Sequence, residues 1–384
     1  MDFEFTEEQN MFKSSLDKVV RGKINPLLES YPEAPLPREA CVKIREILKP
    51  FEIQGARIPE EYGGYGLGAM GLGIAAESIP YPAFELVMMM ELVALRLCLG
   101  ASAELRNRYL PQILKAEKFA GSATSEPNVG SNPREIQTRA KLVGDHYLLN
   151  GTKIWVSAGL TADLLIVIAS LGKDEKGRNI ITPFFVDTEE SPVIAKETDM
   201  VGIKQAHLCE IVLEDVKIPK GNIFSEAEGH AHRILTTSWL GQRPVFGLCN
   251  IRNAKLAYDA ALKYSLQREQ FGKLIGGFQL VQNMLVEMLT LIEASRLLCY
   301  RALSMVDKGI RSDKESSMAK YFSCEANLRV CNLAVEIHGS FGITTEYPVE
   351  KLYRDARVLA FPDGTIEIQK LIVGREITGI RAFV

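Results

Sequence analysis

Apolar residues recur at three- and four-residue intervals along the first third of the chain, as in Leu16, Val19, Val20 and Ile24. That spacing predicts helices that bury one face. Thr6 with Gln9 three residues on fits a capping box, so the first helix is expected to start there. Residues 63–68 are glycine-rich but follow no strand, which predicts a turn between helices and not a dinucleotide-binding loop. From about residue 119 the period becomes that of strands. Residues 164–169, 179–186 and 209–216 read as strands, and Asn150-Gly151 between two strand-like runs predicts a hairpin. From about residue 228 the helical period returns, with Leu280, Met284, Met288, Leu291 and Ile292 on one apolar stripe. The expected fold class is mainly α with an inserted β domain. Its parts are an N-terminal helical domain over residues 1–118, a β-barrel or sandwich over 119–225, and a helical bundle over 226–384.

Composition narrows the function. The 384 residues carry a net charge of −3, so no global basic field points to nucleic acid or to an anionic membrane. No apolar run reaches the length of a membrane span, and no signal or transit peptide is visible. Seven scattered cysteines without a CxxC pair read as core thiols of a reducing compartment, which gives a cytoplasmic expectation. The five histidines form no metal-ligand pattern, so no metal is expected.

One acid stands out near the C-terminus. Asp363 lies between Pro362, which has no N–H, and Gly364, which tolerates positive φ. Thr365 can cap a helix that begins at Ile366, with Glu367 in its first turn. A carboxylate is thus presented from a tight connection, in a setting that suits a general base and equally an ordinary Asp-Gly turn.

Several ordered segments tip that balance. Gly121-Ser122-Ala123-Thr124-Ser125-Glu126-Pro127-Asn128-Val129-Gly130-Ser131-Asn132 resembles the TEPxxGSD segment of the acyl-CoA dehydrogenase family. Asn150-Gly151-Thr152-Lys153-Ile154-Trp155-Val156-Ser157 resembles NGxKxWITN, and Arg268-Glu269-Gln270-Phe271-Gly272-Lys273 resembles RxxFGK. His338 to Gly342, followed by Glu346-Tyr347-Pro348-Val349-Glu350-Lys351 and Arg354-Asp355, resembles GGxGxxxEYPVEKLxRD. The resemblance spans essentially the whole chain. It implies a C-terminal four-helix bundle, a homotetramer, FAD as cofactor, an acyl-CoA substrate, and an electron-transfer flavoprotein or similar electron acceptor.

For the flavin, the resemblance implies Thr124, Ser125, Trp155 and Ser157 at the isoalloxazine. Hydroxyls and amides suit its polar edge, and an indole suits its face. It places Arg268, Phe271 and Gln279, then Glu336, Gly339 and Ser340, and then Thr365 and Glu367, along the rest of the cofactor. Arg268 suits pyrophosphate reached across a subunit interface. Glu336 stands where relatives often have glutamine, so its charge is expected to face elsewhere or to pair with a cation. For CoA and the acyl group the resemblance implies Ser131, Arg243 and Gly364. The stretch from Lys204 to Leu208 lacks the family's hydroxyls, which leaves Lys204 or His207 to hold CoA.

The resemblance puts Asp363 where the family usually has its catalytic glutamate, while the alternative position near Gln242 is here an amide. Aspartate is one methylene shorter, so its carboxylate retracts by about 1.5 Å, and a misplacement of about 1 Å can cost on the order of 10²-fold in rate. A second acid, Glu91, has Val87, Met88, Ala94, Leu95 and Cys98 as its helical neighbours and should face the interior. A buried carboxylate needs a reason: catalysis, or a buried arginine as partner. Two acids across a methionine-lined pocket resemble the alicyclic dehydrogenases of anaerobic aromatic degradation, which act on cyclohexane- or cyclohex-1-ene-1-carboxyl-CoA. A linear or aryl acyl-CoA, altered chemistry (reductase, lyase or desulfinase) and a non-enzymatic flavin- or CoA-binding interaction protein are the alternatives.

Overall fold

The computed structural model describes residues 4–225 and 230–382. The expected boundary after residue 225 therefore adjoins residues outside the description.

The chain opens with α1 (Glu7–Val19), capped by Thr6 and Gln9 in the predicted reciprocal box. Short α2 (Asn25–Glu29) and α3 (Arg38–Leu48) follow. Leu16, Val20, Ile24, Ile44 and Leu48 are all buried, as their spacing requires. The glycine-rich turn leads into α4 (Gly68–Ser78), with Gly63, Gly66 and Gly68 all at positive φ. Next come α5 (Tyr81–Gly100) and α6 (Ala103–Leu114). Pro80 precedes α5, and Pro82 sits in its first turn, where a missing N–H costs nothing. α5 is buried almost all round, Met88, Met89 and Met90 included.

Seven strands then form one sheet: β1 (Ala120–Ala123), β2 (Arg139–Val143), β3 (His146–Ser157), β4 (Leu164–Lys173), β5 (Asn179–Asp187), β6 (Ile194–Glu197) and β7 (Leu208–Pro219). The order is β1-β4-β2-β3-β7-β6, with β5 also on β4, and β1 runs parallel to β4. β4 is buried on both faces. Leu164, Ile166 and Ile168 join the main core, while Leu165, Val167 and Ala169 join a second core inside the sheet.

The hairpin expected at Asn150-Gly151 is not there. The chain reverses at Gly144 (φ +63), between the paired residues Val143 and His146, and β3 runs straight through Asn150-Gly151. Gly151 marks a slip in register against β7, at φ +150. A Cβ there would lie 2.6 Å from Thr138 Oγ1, so glycine serves a close approach and not a turn.

The C-terminal part comprises α7 (His230–Ser265), α8 (Gln279–Asp307), α9 (Asp313–His338), α10 (Val349–Leu359) and α11 (Ile366–Thr378). α7, α8 and α9 pack on one another, and α11 lies on α9. The α8 stripe divides: Met288 and Ile292 are buried, but Leu280 is 77% exposed. α5 touches β1 on one side and α7 on another, so it stands where the three parts meet. No described helix is long and apolar enough to cross a membrane.

Candidate active site

The junction of β1 with β3 is built by a buried ion pair. Lys153 Nζ lies 2.7 Å from Glu126 Oε1 and donates to Thr124 O at 3.1 Å. Glu126 also accepts from the backbone N–H groups of Gln137 and Thr138 and from the Thr138 hydroxyl. Burial pulls the Lys153 ammonium down to about 8, against the pull of Glu126. Ile154 N–H donates to Ser125 O at 3.0 Å. These bonds bring four of the expected flavin residues together: Thr124 and Ser125 on one segment, Trp155 and Ser157 on the other. Trp155 is 56% exposed and sits at φ +58, where a bulky residue is uncommon. An indole held outward by its backbone, beside hydroxyls and strand amides, fits the flat apolar ring and polar edge of a flavin.

Asp363 occupies a turn that is locked from behind. Gln369 Nε2 donates to Asp363 O at 2.9 Å and to Gly364 O at 3.2 Å. Lys320 Nζ donates to Gly364 O at 2.5 Å and to Ala360 O at 3.3 Å. Both side chains are fully buried. Asp363 is at φ +55 and Gly364 at φ +96, while Thr365 caps α11 by accepting from Ile368 N–H. Asp363 Oδ2 is closed off from solvent and has no hydrogen-bond partner among the described residues. Burial pushes its carboxyl above the usual range, opposed by Arg96, Lys320, Arg243 and Arg57. Sequence reasoning missed Lys320 and Gln369, which hold the backbone of the Asp363 turn and act only through the tertiary fold.

Glu91 is fully buried, and it is engaged. Arg57 donates to it twice, Nε to Oε1 at 2.7 Å and NH2 to Oε2 at 2.5 Å. Arg57 also donates to Gln242 Oε1 at 2.9 Å and to Ser238 O at 3.2 Å. This is the arginine partner that sequence reasoning set against a catalytic role. α5 carries two further charged groups that reasoning passed over. Glu85 is buried, and burial lifts its carboxyl to about 7, with His207 and the Ser157 hydroxyl opposing the rise. Arg96, 2% exposed, donates to Ser122 Oγ at 2.5 Å and to Ser238 Oγ at 3.2 Å. An arginine within the otherwise apolar turn from Leu95 to Leu97 was the signal available for it.

The remaining residues divide. Arg268, Phe271 and Gln279 are exposed, Phe271 by 95%, around the short hairpin formed by Glu269–Gln270 and Lys273–Leu274. Gly339 and Ser340 are exposed at the end of α9. Tyr264 stacks on His338 at 4.3 Å and brings that end beside the Arg268 segment. Glu336 is exposed and accepts from Asn332 Nδ2 at 2.6 Å. Glu367 is exposed in the first turn of α11. Ser131 is exposed, and Lys204 lies 3.7 Å from Asp199. Arg243 is buried, with its Nε unpaired. His207 is no candidate for CoA: it is 3% exposed and spans Glu197 Oε2 at 2.8 Å and Leu36 O at 2.9 Å.

Three family models cover the chain in order: the acyl-CoA dehydrogenase N-terminal domain over residues 6–117, the middle domain over 121–216 and the C-terminal domain over 233–378. The chain belongs to the acyl-CoA dehydrogenase family and is an oxidoreductase that acts on CoA thioesters. It is 34% identical to the glutaryl-CoA dehydrogenase of Desulfococcus multivorans, over 99% of both chains. It is 32% identical to the CarC subunit of the caffeyl-CoA reductase–Etf complex of Acetobacterium woodii, over 96% of this chain and 98% of that one. The butyryl-CoA dehydrogenase structure from Megasphaera elsdenii superposes with a TM-score of 0.91 at 29% identity, covering 98% of this chain and all of that one.

Proposed function

We propose that this enzyme catalyses FAD-dependent α,β-dehydrogenation of a CoA thioester, with Asp363 as the base. The observation that carries this reading is half-buried Asp363, whose Oδ2 is closed off from solvent and unpaired among the described residues, within the field of several cations. Bound FAD supplies the hydride acceptor. The protein's own work lies elsewhere. Lys320 and Gln369 fix the turn through its backbone carbonyls, and Asp363 Oδ2 is left without a hydrogen bond among the described residues. An unpaired carboxylate is free to take the α-proton, and a raised proton affinity makes it a stronger base once ionised. Trp155, Thr124, Ser125 and Ser157 hold the flavin ring, and Arg268, Phe271, Gln279, Glu336, Gly339, Ser340, Thr365 and Glu367 hold the rest. Ser131, Arg243, Lys204 and Gly364 serve CoA and the thioester.

The exposed apolar side chains of Phe271, Leu280, Val286 and Ile343 support a tetramer in which a neighbouring subunit covers them. An electron-transfer flavoprotein as acceptor draws support from the Etf complex of the Acetobacterium woodii relative. That relative's name also supports a second reading, in which the same site runs as an enoyl-CoA reductase. The free thiols support a reducing, cytoplasmic setting. The alicyclic acyl group loses one of its two arguments, because Glu91 is committed to Arg57. It now rests on the short side chain of Asp363.

The test is anaerobic bleaching of the purified yellow protein by a panel of linear, cyclic and aryl CoA esters, repeated with Asp363→Asn. Bleaching by at least one ester, lost in the variant, is expected. Undiminished bleaching in the variant would overturn Asp363 as the base. Oxidation of the reduced flavin by enoyl-CoA esters but not the reverse reaction would favour the reductase.

A further inference from the structure

The charges around the site do not balance. Arg57 is neutralised by Glu91. Arg96, Arg243 and Lys320 are each nearly or fully buried, and none of them meets a carboxylate within ion-pair distance among the described residues. Arg96 has two serine hydroxyls, Lys320 has two carbonyls, and Arg243 has the Ser317 hydroxyl at 3.4 Å and the face of Trp239. Asp363 is the one remaining acid that acts on all three. Asp313 also acts on Arg243 and Glu367 on Lys320, whereas Arg96 has only Asp363, beyond ion-pair distance, and burial of a cation without a partner is costly.

The neutral hydrogen-bonding groups nearby are also incomplete. Gln242 is fully buried, donates from Nε2 to nothing among the described residues, and has its Oε1 occupied by Arg57. Gln242 lies one helical turn beyond Ser238, the residue that accepts from Arg96, so the unfilled donor and the guanidinium share one face of α7. Ser238 spends its hydroxyl proton on Leu235 O and only steadies the guanidinium, which leaves the guanidinium, the Ser122 hydroxyl and the spare amide donor to match a planar anion with two oxygens.

We propose that Arg96, steadied by Ser238 and flanked by Ser122 and Gln242, forms an anion-binding subsite of the acyl pocket. The substrate class is then a CoA monothioester of a dicarboxylic acid, whose free carboxylate Arg96 receives. This rests on the proposed dehydrogenase reading, since it places the acyl group between α5 and α7. Asp363 works on the α-carbon, and Arg96 reads the far end of the acyl chain. Arg96 is thus a specificity residue and leaves proton removal to Asp363.

The experiment compares glutaryl-CoA with pentanoyl-CoA and adipyl-CoA with hexanoyl-CoA on the FAD-loaded wild type, Arg96→Met and Arg96→Lys. Steady-state kinetics are paired with calorimetric binding. Wild type should favour one dicarboxylic ester over its uncharged partner. Arg96→Met should lose between about 30-fold and a few thousand-fold in kcat/KM on that ester, mostly through KM, with Arg96→Lys between the two. On the uncharged ester the loss should be much smaller, so that the preference for the dicarboxylic ester collapses. If wild type prefers the uncharged esters, or if Arg96→Met lowers kcat equally for both, the subsite is wrong and Arg96 serves the reacting thioester or the fold. If no ester is oxidised but a dicarboxylic ester still binds more tightly in an Arg96-dependent manner, the subsite stands and the proposed reaction fails.

Discussion

Glu91→Gln separates a structural acid from a working one. The substitution keeps the shape of the side chain but removes its charge and turns one acceptor into a donor that faces the Arg57 guanidinium. Two charge-assisted bonds, at 2.7 and 2.5 Å, are reduced to at most one, from the guanidinium to a neutral amide oxygen. Arg57 keeps Gln242 Oε1 and Ser238 O, but no counter-charge. Breaking a buried pair from one side costs about 3–5 kcal/mol. With an unfolding entropy of about 2.1 cal/mol/K per residue, the 384 residues unfold with about 0.8 kcal/mol/K. The melting temperature should therefore fall by about 4–6 °C. Arg57→Met combined with Glu91→Leu should recover much of that loss, because removing both charges leaves neither stranded. Differential scanning fluorimetry on the FAD-loaded protein measures all three, and anaerobic bleaching measures the chemistry. The reasoning is refuted if Glu91→Gln melts like wild type yet loses more than about 10²-fold in kcat with substrate binding intact, the loss expected of a general base.

Other outcomes follow from the same geometry. Asp363→Asn should lower kcat by about 10²–10⁴-fold, and wild-type kcat/KM should climb with pH through a value above the ordinary aspartate range of about 4; a pH-independent rate from pH 5 to 9 would contradict this. The folded-state proton affinity of Asp363 is raised, so its stabilising contribution is complete below the unfolded value and is lost as pH rises through the folded one. Asp363→Asn should thus melt higher than wild type at neutral pH, with the gap closing below about pH 4, and a variant that is less stable at pH 7 would reverse the sign. Trp155→Ala should weaken flavin retention by about 3- to 10-fold, the worth of an aromatic contact, read by flavin fluorescence on dilution. Lys320→Met should lower kcat on the order of 10²-fold through a shifted Asp363 turn, and unchanged kinetics would remove Lys320 from the positioning of the base.

What could be read in the chain beforehand follows the range of each interaction. The capping box at Thr6, the strand at residues 164–169 and the Thr365 cap depend on residues within a few positions of each other, and all are present. Asn150-Gly151 misled because its turn propensity is local, whereas pairing with β7 and contact with Thr138 are not. Glu91 could be recognised as buried from its helical neighbours, but its partner Arg57 lies 34 positions away on a separate segment. Lys320 and Gln369 reach Asp363 from two different helices, and no pattern along the chain links them. The family segments were legible for a physical reason: Glu126 and Lys153, one in each of two motifs, are the two halves of the pair that joins β1 to β3.

The left-handed turn at Asp363 has a consequence for anyone who engineers or evolves this enzyme. Its backbone would relax with glycine, and its partly desolvated carboxylate would be better tolerated as an amide. A screen that rewards only heat resistance or soluble yield should therefore enrich Gly or Asn at position 363 and, with Asp363 as the proposed base, silence the catalyst while improving the protein. Libraries built on this scaffold need turnover as a second filter, and drift at that single codon would be an early sign that the filter is missing.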